Sequence, residues 1–270
     1  MSEALRQKAA ALIGSSAVRV VVGYREGRRP DLPVPHFAHS VGEASQFILT
    51  RHCRGGLAFF ARREAAKAPA AFVSTAEDVR ALRILVQEKQ VPAENVRVIA
   101  FEHRGGGVTI LPGERLEEFA GLRAPVPDES TSDTLARLRA MTPAQRWRFW
   151  RREFDKCVRC YACRQACPMC YCEECIAEKN LPQWIEVSPR ARGNFAWNLI
   201  RAWHLAGRCV ECGACERACP QGIRLMPLNR MLADEIASAF GYSPGAGSVE
   251  EAAFFATFKD SDSEDFILKK

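Results

Sequence analysis

The spacing of its cysteines is the feature that most restricts how this chain can fold. The 270 residues include 12 cysteines, and all of them except Cys53 lie between Cys157 and Cys219. Clustered spacings of this kind are typical of metal ligands, whereas a disulfide framework is expected in a short secreted chain. The sequence therefore predicts a metal or cluster centre in the second half of the chain.

The pattern C-x2-C-x2-C-x3-C followed by proline occurs twice, ending at Pro168 and at Pro220. In bacterial ferredoxins three thiolates of such a run hold one 4Fe-4S cluster and the fourth reaches the other cluster. Two copies thus predict two clusters with crossed ligation. The first would be held by Cys157, Cys160, Cys163 and Cys219, and the second by Cys209, Cys212, Cys215 and Cys167.

A zinc site is the main alternative for these cysteines. The pairs Cys157-x2-Cys160 and Cys209-x2-Cys212 would together satisfy a four-cysteine zinc ribbon. A zinc ribbon gives no reason for the third and fourth cysteines of each copy, or for the prolines that follow them. We therefore favour iron-sulfur clusters.

Four cysteines lie outside these two sets: Cys53, Cys170, Cys172 and Cys175. A third 4Fe-4S cluster held by all four would use every cysteine once and would join the two halves of the chain. The neighbouring Gly55-Gly56 pair would let the backbone approach such a cluster closely. Two alternatives stay open: Cys53 as a small buried hydrophobe, and the other three as a zinc site or a redox thiol set.

Alternating β-type and helical segments predict a small α/β domain over residues 1–123. Strands are predicted at 18–24, 70–73, 95–101 and 108–111, in a largely parallel sheet. The segment 43–66 is helix-like, with a break at Gly55-Gly56. Thr75 is the predicted N-cap of a helix that runs to residue 89.

The second half is predicted to be a mainly α-helical, dicluster ferredoxin-like domain over residues 132–242. A Pro- and Ser/Thr-rich linker, 124–131, precedes it. Helices are predicted at 132–141, 142–156, 198–207 and 228–240, the second of them with Thr142 as N-cap and Pro143 at its first position. We expect an extended acidic tail over residues 243–270, with its acidic groups at Asp260, Asp262, Glu264 and Asp265.

Several classes of function are disfavoured by the sequence. No run approaches the roughly 18 apolar residues of a membrane span, and we expect a cytoplasmic chain whose thiols stay reduced. The net charge of +6 comes from basic residues scattered among acids, which does not favour nucleic-acid binding. No hydrolase, metalloprotease or nucleotide-binding motif follows a predicted strand, so we predict no catalytic residue. The run Gly105-Gly106-Gly107 could hold a phosphate of FAD, although a hairpin turn also explains it.

Residues 157–175 read CVRCYACRQACPMCYCEEC, and 207–215 read GRCVECGAC. The first segment resembles iron-sulfur proteins related to the beta subunits of formate dehydrogenase and of deazaflavin-coenzyme-reducing hydrogenase. The second resembles the dicluster C subunit of heterodisulfide reductase. Upstream, Asp78-Val-Arg-Ala-Leu is similar to an Asp-Ser-Arg-Ala-Leu stretch of the same family.

The chain departs from the family at the position directly before Asp78. Relatives usually have a cysteine there, whereas this chain has Glu77. Cys53 matches a family cysteine further upstream. If the position of Glu77 holds a third cluster in relatives, then here a carboxylate replaces the thiolate, Cys53 substitutes for it, or the cluster is absent.

The resemblance implies an electron-transfer subunit that relays electrons through 4Fe-4S clusters. Its expected partners are subunits of a cytoplasmic oxidoreductase complex of the heterodisulfide-reductase-like, hydrogenase or formate dehydrogenase type. The alternative is a flavin-containing oxidoreductase that binds FAD and reduces a soluble carrier, such as a deazaflavin or a pyridine nucleotide. A third hypothesis treats the α/β half as an assembly scaffold.

Overall fold

The computed structural model describes residues 2–104, 107–119 and 129–256. These form two compact units, the first made of described residues from 2–119 and 244–256 and the second of residues 129–243. Residues 124–128 of the predicted linker, Gly105, Gly106 and the acidic residues at 260–265 lie outside the described part. The remaining linker residues, 129–131, begin a helix.

Five strands of the first unit form one sheet in the order β2-β1-β3-β4-β5. They are β1 (Val20–Arg25), β2 (Val34–Ala38), β3 (Ala70–Ser74), β4 (Val96–Arg104) and β5 (Gly107–Ile110). The central strands β1, β3 and β4 run parallel, whereas β2 and β5 pair antiparallel at the edges. The apolar runs of β1 and β3 fit their near-complete burial. The sequence analysis missed β2, which contains Pro35; an edge strand tolerates a proline because one side of it has no partner.

Four helices accompany this sheet: α1 (Ser2–Gly14), α2 (Val41–Ala44), α3 (Ala61–Glu64) and α4 (Ala76–Gln87). The predicted start of α4 is confirmed, because Thr75 and Asp78 form a reciprocal capping box. Its Val79, Leu82 and Leu85 are buried, and the helix contacts β3 and β4.

The prediction of a helix-like segment over residues 43–66 is wrong for residues 45–56, whereas the predicted break at Gly55-Gly56 and the helical residues after it are confirmed. Only α2, one 3-10 turn (Leu57–Phe60) and α3 are helical near it, and residues 45–56 follow an irregular path. Gly55 and Gly56 adopt φ angles of 69° and 95°, a left-handed conformation that interrupts a helix. The carboxylate of Asp78 accepts hydrogen bonds from the Gly56 and Ala58 amides at 2.9 and 3.1 Å, and so fixes this loop to α4.

Residues 244–256 pack with the first unit, at the side of α4. Arg80 Nε donates to the Pro244 carbonyl at 2.7 Å, and Arg83 Nη1 donates to the Gly245 carbonyl at 3.2 Å. Gln87 Nε2 adds a 2.6 Å bond to the Ser248 carbonyl. The guanidinium groups of Arg80 and Arg83 are buried on this helix, and these carbonyl oxygens accept hydrogen bonds from them.

The described residues of the second unit form helices and loops. The helices are α5 (Glu129–Ala140), α6 (Pro143–Asp155), α7 (Ala162–Gln165), α8 (Ala191–His204), α9 (Ala214–Arg217) and α10 (Met226–Phe240). The predicted N-cap of α6 is confirmed by a capping box between Thr142 and Gln145, with Pro143 at the first position. Helix α6 packs on α8, and α10 packs on α5 and α8. Among residues 2–104, 107–119 and 129–256, no helix combines the length and apolar composition that crossing a bilayer requires.

Candidate metal centre

The two cysteine runs of the second unit adopt the same local conformation. Arg159 and Tyr161 of the first run have φ angles of 56° and 60°, and Glu211 and Gly213 of the second have 61° and 69°. In each run the left-handed residues flank the second cysteine, and a single helical turn, α7 or α9, follows. Left-handed residues alternating with right-handed ones turn successive backbone N–H groups toward one side, which is how chains enclose anionic groups. The repeated sequence pattern therefore produces a repeated backbone suited to an anionic cluster.

The surroundings of Cys163 include the other three cysteines of the first predicted set. Burial raises the pKa of the Cys163 thiol, the charge of Arg201 lowers it, and Cys157, Cys219 and Cys160 raise it because their thiolates would repel a further negative charge. Cys219 comes from the second run, as crossed ligation requires. Three of these cysteines, Cys157, Cys163 and Cys219, also pack against the apolar cluster formed by Leu138, Trp150, Phe154, Ile223 and Leu225.

The surroundings of Cys209 include the other three cysteines of the second predicted set. Burial raises the pKa of this thiol well above its usual value, and the charges of Cys215, Cys212 and Cys167 act in the same direction. Here Cys167 is the contribution of the opposite run. Nδ2 of Asn229, a residue of α10, lies 3.9 Å from Cys215 Sγ and donates to it. The short helices α7 and α9, one in each cysteine run, are in contact, so the fourth cysteine of each run lies near the other run.

The residues present fit 4Fe-4S clusters. Each predicted set consists of four thiols, the donor type that such clusters use, with three thiols from one run and one from the other. Among the described residues no group of three or more His, Cys, Asp or Glu side chains is placed to hold a single metal ion, so the fit rests on the donor type and on the paired runs. Cys215 is buried and most of the other thiols are partly buried, whereas Cys160 is exposed, so the first run has one thiol open to solvent or to another protein.

Helix α8 supplies polar contacts to the first run that the sequence analysis did not anticipate. Asn194 Nδ2 donates to the Cys157 carbonyl at 2.7 Å, and Arg201 Nη2 donates to the Cys163 carbonyl at 2.9 Å. In return, Arg159 Nη1 donates to the Gly193 carbonyl at 2.9 Å, and its guanidinium lies 5.0 Å from the ring centre of Trp197. Asn194, Trp197 and Arg201 are spaced by three and four residues, so they share one helix face. The spacing of these three residues could have indicated the shared face from the sequence. The helix was, however, predicted to start at residue 198, whereas it starts at Ala191, so Asn194 and Trp197 were not assigned to it.

Ion pairs restrain the chain next to both cysteine runs. Arg230 on α10 pairs with Glu211 at 2.7 Å and with Asp234 at 3.0 Å. Arg164 pairs with Glu178 at 2.8 Å and also donates to the Cys172 carbonyl at 2.7 Å. These contacts restrain the backbone next to the cysteines. They therefore help to position the thiols although they involve no thiol group.

The cysteines of the predicted third set have different surroundings. Cys53 belongs to the first unit, where it is buried; burial raises the pKa of its thiol, and the Thr50 amide donates to its sulfur at 3.4 Å. In the second unit, Cys170 hydrogen-bonds the thiol of Cys167, which raises the pKa of Cys170 and lowers that of Cys167. Cys172 is exposed, and Cys175 packs against Ala177, Ile185 and Trp197. A third cluster, and the role of Glu77 in it, stay predictions.

Comparison with known proteins agrees with the chemistry of this centre. Residues 156–224, which contain both runs, match the family model of the 4Fe-4S dicluster domain. The F420-dependent formate dehydrogenase subunit beta of Methanocaldococcus jannaschii is 36% identical over 97 residues, which cover 36% of this chain and 25% of that protein. The F420-dependent formate dehydrogenase 1 subunit beta of Methanococcus maripaludis is 54% identical over 26 residues, 10% of this chain and 7% of that protein.

The matched region thus spans about a quarter of the first of these relatives. The predicted resemblance to formate dehydrogenase beta subunits and the predicted 4Fe-4S chemistry are both confirmed. Residues 156–224 of this chain thus match the 4Fe-4S dicluster domain, and 97 residues of the chain are homologous to the beta subunit of an F420-dependent formate dehydrogenase.

Proposed function

We propose that this chain is an electron-relay subunit in which two 4Fe-4S clusters, with crossed ligation, carry electrons between other subunits of a cytoplasmic oxidoreductase complex. One observation carries the proposal. Cys219 belongs to the electrostatic surroundings of Cys163, and Cys167 to those of Cys209, although each comes from the opposite run. Local spacing alone would bring three thiols together; the fourth comes only from folding.

Full cysteine ligation favours electron transfer over chemistry at the metal. A cluster with four thiolates has no iron open to a substrate, so its function is to gain and lose one electron. Among the described residues near these thiols we identify no group placed as an acid or base toward a substrate. The clusters would be the electron carriers, and the residues of this chain would hold them, shield them and set their potentials.

Exposed apolar side chains support a function within a complex. In the second unit Leu181 is 99% exposed, and Ile176, Trp184 and Trp203 are each more than half exposed. Large exposed apolar groups in one region are typical of surfaces that bind other proteins. The relatives are themselves named as beta subunits of formate dehydrogenases. We therefore propose a formate dehydrogenase-like complex, with heterodisulfide-reductase-like and hydrogenase complexes as the alternatives.

The first test is an anaerobic count of iron, sulfide and zinc in the full-length protein. We expect about eight irons and about eight sulfides per chain, as two 4Fe-4S clusters require. Cys172→Ser serves as a matched control, because this exposed cysteine belongs to neither set. Stoichiometric zinc without sulfide would overturn the proposal. About twelve irons that fall to about eight in Cys53→Ser would add a third cluster.

Crossed ligation needs a second test, based on pairs of variants. Cys219→Ser and Cys160→Ser should change the same cluster signal in electron paramagnetic resonance (EPR) spectra, and the double variant should leave the other signal intact. Cys167→Ser and Cys212→Ser should together change the other signal. If Cys219→Ser instead alters the same signal as Cys212→Ser, each run holds its own cluster and the crossed assignment is wrong.

A flavin-containing oxidoreductase is the second candidate function. It is favoured by the names of the relatives, which are described as F420-dependent. In that case the first unit would bind FAD and exchange electrons with a soluble deazaflavin or pyridine nucleotide. Protein purified with excess FAD and then stripped of clusters would retain a stoichiometric yellow chromophore. Loss of all flavin on gel filtration would rule this function out.

The partner assignment is tested by anaerobic affinity purification of the tagged chain from cells that express it with the candidate subunits. We expect co-purification with a formate dehydrogenase catalytic subunit and electron flow from formate to the clusters of this chain. Co-purification with a hydrogenase or a heterodisulfide-reductase-like subunit in its place would select the corresponding alternative.

A further inference from the structure

The side chain of Arg201 is buried in the second unit, close to thiols of both cysteine runs. It lies on α8 and is 5% exposed. Nη2 donates to the carbonyl oxygen of Cys163, which belongs to the first set, at 2.9 Å. Burial raises the pKa of the Cys215 thiol, which belongs to the second set, and the positive charge of Arg201 lowers it. One side chain thus bonds a residue of the first predicted set and acts electrostatically on a thiol of the second.

The remaining surroundings of Arg201 are also dominated by sulfur. Burial lowers its pKa, but the neighbouring charges of Cys215, Cys170, Cys167 and Cys163 together raise it above the usual value for arginine. An arginine is protonated under all ordinary conditions, and here the surroundings favour the charged form further. Its Nε has no hydrogen-bond partner among the described residues. The bond to the Cys163 carbonyl therefore uses only part of the hydrogen-bond donors of this guanidinium.

A buried positive charge at this place has a direct consequence for electron uptake. Reduction adds one negative charge to a cluster, and a cation within a poorly solvated region stabilises that charge more than it would in water. Net local charge, hydrogen bonds to sulfur and solvent exposure are the factors that set the potential of such clusters. Arg201 contributes positive local charge, and its burial strengthens that effect.

We propose that Arg201 is a shared counter-cation of the two cluster sites and raises the reduction potential of both. This inference rests on the proposed function, since it needs both clusters. It assigns Arg201 the part of a positioning and tuning residue, which acts on the clusters without being a ligand.

A purely structural role is the alternative, in which Arg201 matters only because it bonds the Cys163 carbonyl. Two substitutions separate charge from shape. Arg201→Gln removes the charge but keeps an N–H donor. Arg201→Lys keeps the charge but loses the planar guanidinium group and its paired N–H donors. Arg146→Gln is the matched control, because Arg146 lies in the same unit and donates to the carbonyls of Leu138 and Met141.

The experiment is an EPR-monitored redox titration of the full-length, cluster-loaded protein, together with its iron content and circular dichroism. In Arg201→Gln both potentials should fall, each by at least the roughly 59 mV that corresponds to a tenfold change in a one-electron equilibrium. Arg201→Lys and Arg146→Gln should stay near the wild-type potentials. These values do not depend on catalytic activity.

Each result has a defined meaning. Unchanged potentials in an iron-replete Arg201→Gln protein, or a shift at only one cluster, would overturn the proposal. So would an Arg201→Lys variant that behaves like Arg201→Gln, or loss of iron from both, because shape and not charge would then be decisive. Loss of iron from Arg201→Gln alone, with a wild-type Arg201→Lys, would support the need for the charge. A wild-type protein without about eight irons would instead overturn the proposed function itself.

Discussion

The carboxamide of Asn194 donates a 2.7 Å hydrogen bond to the carbonyl oxygen of Cys157. This bond joins the first turn of α8 to the residue that begins the first cysteine run. Both groups are shielded from water, because Asn194 is 1% exposed. A hydrogen bond outside the ligand set therefore holds the backbone of a ligand residue in place.

Asn194→Ala should weaken the first cluster site without removing any thiol. The Cys157 carbonyl would lose its buried partner, which typically costs about 1–3 kcal/mol. We expect several-fold faster iron loss to a chelator under anaerobic conditions, measured by absorbance. Asn198→Ala is the matched control, because Asn198 is equally buried on α8 but donates to the carbonyl of Asn194. Equal rates of iron loss from the two variants would contradict this role of Asn194.

Gly213→Ala should strain the second cysteine run. Gly213 has a φ angle of 69°, a left-handed conformation that costs an L-residue about 1–2 kcal/mol. Its Cβ would also lie 2.8 Å from Arg217 Nη1, a flexible atom that can shift. Gly213→Asn should be tolerated better, since asparagine adopts this conformation more readily. Thermal unfolding of the loaded protein tests the order, and an alanine variant as stable as wild type would refute it.

Gly245→Ala should release residues 244–256 from the first unit. The new Cβ would lie 2.4 Å from the backbone carbonyl oxygen of Arg80, too close for either backbone to remain in place. We expect a loss of about 1–3 kcal/mol in stability and faster protease cleavage within this segment. Gly241→Ala is the control, because Gly241 has a similar φ of 61° but nothing within 4 Å of the added carbon. Cleavage at the same rate in both variants would show that φ strain, and not the overlap, is responsible.

Asp78 should make the stability of the protein depend on pH. Burial raises the pKa of this carboxyl from 3.8 to about 6, although the amides of Ala58, Gly56 and Thr75 donate to it and act in the opposite direction. Since the folded state holds the proton more tightly, the contribution of Asp78 is most favourable at low pH. It is lost as the pH rises toward 6, by about 1.4 kcal/mol for each pH unit between the two pKa values.

Asp78→Asn tests that dependence, because asparagine does not titrate. Denaturant unfolding at pH 5.0 and 7.5 should show a larger difference between wild type and Asp78→Asn at the lower pH. Glu94→Gln, a change at an exposed residue of the first unit, provides the control for a general loss of negative charge. Equal differences at both pH values would mean that the pKa of Asp78 is not raised in the folded state.

Local signals in the sequence were sufficient for the helix starts at Thr75 and Thr142. A capping box involves residues only three positions apart, so its outcome depends little on the rest of the fold. The segment 43–66 shows the opposite case. Its apolar residues suggested a helix on both sides of Gly55-Gly56. The break at the glycines is present, but residues 45–56 follow an irregular path, and the distant carboxylate of Asp78 holds its end through the Gly56 amide.

The cysteine runs were recognisable from the sequence because metal ligation is encoded in short spacings and residue types. Their shared backbone, with left-handed residues on both sides of the second cysteine, follows from the same repeat. The contacts of Asn194 and Arg201 could not be recognised in this way. Both side chains come from a helix between the runs, and only packing brings that helix against the backbone of Cys157 and Cys163.

The sequence by itself determined the donor chemistry, because thiol number, spacing and the following prolines are properties of short segments. The two copies of the run also predicted the crossed ligation, whereas only the tertiary structure places the polar side chains of Asn194 and Arg201 against the backbone of the first run. The physical reason is distance along the chain. Residues 157 and 194, or 163 and 201, interact through space only after the helices of the second unit have packed, and short-range patterns contain no information about that packing.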